Sequence, residues 1–82
     1  MVEFRVAPRY RVNKPAIINY GGDKYPCIVR DISATGAALE VSEQIDILRR
    51  AKGFTLVIPE DRLTLLCRVA WQRDYRMGVA FD

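Results

Sequence analysis

Apolar and polar positions alternate through most of the chain with a period of two, the spacing of strands whose successive side chains face opposite ways. The longest run is Leu63, Leu65, Cys67, Val69 and Trp71, with Thr64, Arg68 and Gln72 on the other face. After the polar turn Gln72-Arg73-Asp74, the residues Tyr75, Met77, Val79 and Phe81 again share a face, so the two runs predict a hairpin. Phe54, Leu56 and Ile58 predict a strand that Pro59-Glu60-Asp61 ends. Ala16, Ile18 and Tyr20 lead into Gly21-Gly22-Asp23, where a glycine pair supplies the positive φ of a tight reversal, and a return strand follows from Tyr25 to Ile32. In that strand Val29 and Ile32 are both apolar yet of opposite parity, which a β-bulge or the end of the strand explains. Ala37, Leu39 and Val41 add a short strand.

Ser42 to Lys52 departs from the pattern. Ser42 suits an N-cap, Glu43 the first turn, Ile45 and Leu48 are three apart, and Gly53 is a stop, which predicts a short helical turn. The sum is an all-β fold: a small six-stranded antiparallel β-barrel with at most one short helical turn, since closure is the usual way to hide strand edges.

The chain has 82 residues, one domain's worth, and at this size a single core forms without disulfides or metal. It contains no histidine, which excludes a Ser/His/Asp triad, His-based acid-base catalysis and a His-ligated metal. No pair of carboxylates sits beside a nucleophile, so an enzyme is not expected, nor a metal or other cofactor. Cys27 and Cys67 are forty positions apart, neither a zinc signature nor a redox pair. Two buried free thiols are the first reading and a structural disulfide the second. No apolar run reaches the length of a membrane span, and Met1 to Tyr10 carries charge where a signal peptide needs its apolar stretch, so the expectation is a cytoplasmic protein with no membrane insertion.

The formal charge is only +3, too little for a nonspecific nucleic-acid coat, but it is unevenly placed. Arg5, Arg9, Arg11 and Lys14 fall within ten residues with no acid between them, and Pro8 and Pro15 disfavour helix or central strand there. This predicts a flexible basic N-terminal arm over 1–14, joined to a barrel over 15–82. Alone, such a run is a solvated terminus. Its companion is Asp31-Ile32-Ser33-Ala34-Thr35-Gly36, which reads as a turn in which Asp and Ser bond nearby backbone and Gly36 takes positive φ. A basic arm beside an acceptor-rich turn suits a guanine nucleotide. Arginine's planar fork bonds O6 and N7 of guanine or pairs with phosphate, and a carboxylate accepts from N1 and N2 on the opposite edge.

These residues also resemble the PilZ domains, bacterial receptors for cyclic di-GMP. The family's R-x-x-x-R stands as Arg5-Val6-Ala7-Pro8-Arg9, and its D/N-x-S-x-x-G as Asp31-Ile32-Ser33-Ala34-Thr35-Gly36. The motif order, the hairpin between them, and Val69-Ala70-Trp71 followed by Arg76-Met77-Gly78-Val79-Ala80-Phe81 extend the resemblance along nearly the whole chain. It implies a cyclic di-GMP receptor in which Arg5 and Arg9 contact guanine and phosphates, and Asp31, Ser33 and Gly36 form the surface beneath the ligand. Trp71 is a further contact to a base or equally a core residue, and Arg11 and Arg76 are weaker electrostatic contacts. Ligand binding would order the arm and signal through a downstream partner protein. Many family members continue into a C-terminal helix, whereas this chain stops at Asp82. Two other readings compete: a protein-interaction barrel without ligand, its arm a basic docking segment, and a single-stranded nucleic-acid barrel using Tyr10, Tyr20 and Tyr25. Intact arginines weigh against the first, and localised charge against the second.

Overall fold

The computed structural model describes residues 8–42 and 53–82. They form six strands: β1 (Tyr10–Tyr20), β2 (Asp23–Ile32), β3 (Gly36–Val41), β4 (Phe54–Ile58), β5 (Leu63–Arg73) and β6 (Arg76–Phe81), with a 3₁₀ turn at Pro59–Asp61. All pairings are antiparallel, in the order β1-β2-β3-β6-β5-β4, and β4 returns to β1 to close the barrel. The expected all-β barrel is therefore the observed fold.

Alternation builds the interior. Ile18, Val29, Leu39, Leu56, Cys67 and Met77, one from each strand, are almost wholly inaccessible, and their burial is the main force holding the barrel together. Cys27 and Cys67 are buried free thiols. Gly21 and Gly22 both take positive φ (61° and 86°), which turns β1 into β2 as the glycine pair predicts. Lys14 reaches Asp61 at 2.6 Å and ties the 3₁₀ turn to β1.

The structure departs from the expectations in several places. β1 begins at Tyr10, inside the stretch assigned to the arm, because Tyr10 and Arg11 pair with Ile32 and Asp31. Pro15 is tolerated in β1 because the ladder to β4 starts only at Ile17, so the strand has its second neighbour beyond the proline. Trp71 does not join Leu65 and Val69 on the inner face. Ala70 is an extra residue in β5, with Val69 opposite Val79 and Trp71 already opposite Gly78, and this bulge turns the indole outward, where the residue is 48% exposed. Tyr75 is also exposed, at the β5–β6 turn rather than in the core. The helical turn expected over Ser42 to Lys52 lies, from residue 43 on, outside the described residues.

Candidate ligand-binding surface

The slip in alternation between Val29 and Ile32 is a bulge. Val29 pairs with Leu39 and Asp31 with Ala38, so Arg30 is the extra residue in β2. In a regular strand with no bulge, Asp31 would share the face of Cys27 and Val29 and carry an unpaired carboxylate into the core, at a cost of several kcal/mol. With it, Asp31 lies on the outer surface while Ile32 turns inward against the core. β1 answers with an extra residue of its own, since Val12 and Asn13 together stand opposite Arg30 between the Arg11–Asp31 and Lys14–Val29 pairs.

Register then connects the two bulges. Arg11 pairs with Asp31, Asp31 with Ala38, Ala38 with Gly78, and Gly78 with Trp71. These five residues form one rung across the outer faces of β1, β2, β3, β6 and β5. Asp31 and Trp71 stand three strand spacings apart, roughly 14 Å along the sheet. Between them the floor is low, because Ala38 and Gly78 have little or no side chain. Gly78 permits a close approach: a Cβ there would run into the Trp71 indole as it stands, which lies over it. On one side of the floor Arg76 pairs with Glu40. Arg76 borders two shallow grooves, one of about 440 Å³ that also has Arg11, Asn13, Arg30 and Asp31 in its walls, and one of about 500 Å³ shared with Trp71 and Tyr75.

At the charged end, Asp31 Oδ1 is 3.7 Å from Arg9 Nη1, an ion pair too long to be a hydrogen bond. The same oxygen is shielded from solvent and has no hydrogen-bond partner among the described residues. The Asp31 side chain is 25% exposed and that of Arg9 65%. The site thus holds an acceptor with unused capacity beside a guanidinium whose donors largely face water, an arrangement open to a group with donors of its own.

The turn after Asp31 is organised by Ser33. Its backbone N–H donates to the Gly36 carbonyl at 2.8 Å, and its Oγ accepts from the N–H groups of Thr35 and Gly36, each at 3.2 Å. Phe81 N–H donates to the Thr35 carbonyl at 2.8 Å and binds the turn to β6. The Ser33 hydroxyl is engaged within its own loop and shapes it. Gly36 does not take positive φ, contrary to the turn reading; among the glycines only Gly21 and Gly22 do. Its requirement is steric, because a Cβ at Gly36 would collide with the Val79 carbonyl where β3 lies against β6.

Arg9, Arg11, Asp31 and Trp71 therefore converge on one outer face, with Ser33 and Gly36 framing the adjacent turn, while Arg5 lies outside the described residues. Sequence reasoning missed Ala38 and Gly78 as the floor; a glycine inside an apolar strand run is the signal that could have marked Gly78. Behind this face, burial and then the neighbouring Cys67 push the Cys27 thiol up to about 12, and burial followed by Asp82 pushes Cys67 up to about 11. Among the described residues no cluster of three or more His, Cys, Asp or Glu could hold a metal ion, and no helix is long and apolar enough to cross a membrane.

Comparison with protein families gives a match to the PilZ domain over residues 3–82. No individual curated protein matches the chain closely enough to compare.

Proposed function

Since the chain belongs to the PilZ domain family, a family of non-catalytic signalling modules, we propose that it is a cyclic di-GMP receptor whose ligand lies on the rung from Asp31 to Trp71. The observation that carries the reading is the Asp31 carboxylate: outward by virtue of a bulge, beside Arg9, and with an Oδ1 that has no hydrogen-bond partner among the described residues. Asp31 accepts from N1–H and N2–H of a guanine, and Arg9 bonds O6 and N7 of a guanine or a phosphate, each bidentate arginine contact worth about 1–3 kcal/mol. Arg5 shares that role from the other end of its motif. Trp71 stacks on a base at the far end of the floor, a contact of about 1–3 kcal/mol. Arg11 and Arg76 add attraction for the two phosphates.

Ligand binding draws the arginine segment ahead of β1 over the barrel face. Fixing each residue of that segment costs about 1–2 kcal/mol of backbone entropy, which the guanine and phosphate contacts offset. The face that results, made partly of ligand and partly of arm, is what a downstream protein reads.

The test is calorimetric titration with cyclic di-GMP, GTP and a short single-stranded oligonucleotide in parallel. We expect cyclic di-GMP to bind tightest, and Arg9→Ala and Asp31→Ala each to weaken it by at least a hundredfold while β-type circular dichroism is unchanged. Binding of the oligonucleotide alone, or wild-type affinity in both variants, would overturn the proposal.

A further inference from the structure

The two register shifts on either side of β2 occur at the same level: Arg30 is the extra residue of β2 relative to β3, and Val12 with Asn13 oppose Arg30 in β1. Bulges twist a strand and loosen its ladder locally, so the backbone that carries Asp31 is where the barrel has least regular pairing to hold it. One side chain spans the irregularity. Arg30 Nη1 donates to Asn13 Oδ1 at 2.8 Å on β1, and Arg30 Nε lies 3.3 Å from Glu40 Oε1 on β3. The planar guanidinium thus engages both neighbouring strands, using separate nitrogens, from the residue immediately before Asp31.

Its contribution to overall stability is small. Arg30 and Glu40 are both nearly half exposed, and exposed ion pairs contribute little. The facing of Asp31 does not require Arg30 either, because an inward carboxylate is already excluded by its desolvation cost. What the contacts can fix is orientation within the outward state, the fraction of time the Asp31 carboxylate spends beside Arg9 in a geometry that accepts two hydrogen bonds from one base edge.

We infer that Arg30 is a positioning residue for ligand binding: with Asn13 and Glu40 it forms a clamp across β1, β2 and β3 that holds the Asp31 carboxylate in its binding rotamer. This rests on the cyclic di-GMP reading, and the experiment separates the two. Side-chain couplings of Asp31, measured by NMR without ligand, report its χ1 distribution, and calorimetry with cyclic di-GMP reports affinity, in the wild type, Arg30→Met, Arg30→Lys, Asn13→Ala and the Arg30→Met/Asn13→Ala double variant.

We expect a single Asp31 rotamer in the wild type and averaged couplings in Arg30→Met with little change in melting temperature. Affinity falls about tenfold in Arg30→Met and in Asn13→Ala. The double variant is no weaker than either single one, because both break the same clamp, and Arg30→Lys is intermediate since one ammonium cannot reproduce the two-sided fork. An Asp31 rotamer that stays fixed in Arg30→Met would overturn the clamp whatever the affinity does. So would full affinity in Arg30→Lys, which would mean that charge alone matters, and so would additive losses in the double variant. If the wild type fails to bind cyclic di-GMP but Asp31 averages in Arg30→Met, the ligand assignment falls and the clamp stands.

Discussion

The barrel has a bulge at each end of its outer rung, and the two are held by different physics. At Arg30 in β2, polar contacts run to both neighbouring strands, and β1 carries a matching extra residue. At Ala70 in β5, the β6 partner has no extra residue, and the turned-out indole settles over a glycine. The first is a charged joint between three strands; the second is a fit between a large flat side chain and an absent one. A carboxylate cannot be placed by shape alone, because it must be kept from the core and aimed. An aromatic ring needs only a floor. The same backbone irregularity therefore serves two unlike ends of one surface.

Deleting each bulge residue gives the largest test of this contrast. Removing Arg30 leaves Val12 and Asn13 of β1 with nothing opposite and so disrupts the pairing of β1 with β2, for an expected loss of about 3 kcal/mol, read by urea unfolding. Removing Ala70 restores regular alternation with Trp71 still outward and costs about 1 kcal/mol. Equal losses would erase the distinction.

A second prediction concerns the interior that both bulges back onto. Cys27 and Cys67 each lie three residues before a bulge, and both thiols are raised, to about 12 and about 11. Unfolded thiols ionise near pH 9 while the folded ones keep their protons, so the unfolded state binds fewer protons and stability falls as pH rises from about 9 towards those values. The slope approaches ~1.4 kcal/mol per pH unit for each thiol, or about 1 kcal/mol each by pH 10. Denaturation between pH 8 and 10.5 should show this decline, with Cys27→Ala and Cys67→Ala each removing part of it. A decline of the same steepness in the double alanine variant would assign the effect to other groups.

The smallest expected effect is that of Gly78→Ala. The added methyl meets the indole, which is the movable partner, so the cost stays below about 1 kcal/mol and the ring is displaced towards water. Emission from the single tryptophan should shift to longer wavelength; an unshifted spectrum would mean that the ring is not held by the glycine.

The two bulges also differ in how far the sequence reveals them. At β2 the parity slip from Val29 to Ile32 brackets two charged residues, Arg30 and Asp31, and a charge forced to an inner position contradicts itself, so the irregularity is visible in advance. At β5 the series Leu65, Cys67, Val69, Trp71 keeps perfect parity and every member is acceptable in a core, so nothing in that strand reveals the extra residue. Only its partner, Gly78 in the neighbouring strand, carries the information, and pairing is needed to connect them. The barrel itself was readable because each strand contributes its own buried residue at even spacing. Arg9 and Asp31 were readable as a basic segment and an acceptor turn, but their convergence depends on β1 starting at Tyr10, which long-range pairing with Ile32 decides against the local preferences of Pro8 and Pro15.

The rung from Asp31 to Trp71 is spaced by main-chain hydrogen bonds, not by side chains. Sequence drift can therefore change the side chains at each end without changing how far apart they stand. The interval comes only in whole strands, so, on the proposed reading, descendants of this barrel would exchange one ligand for another of the same span far more readily than for a longer or shorter one.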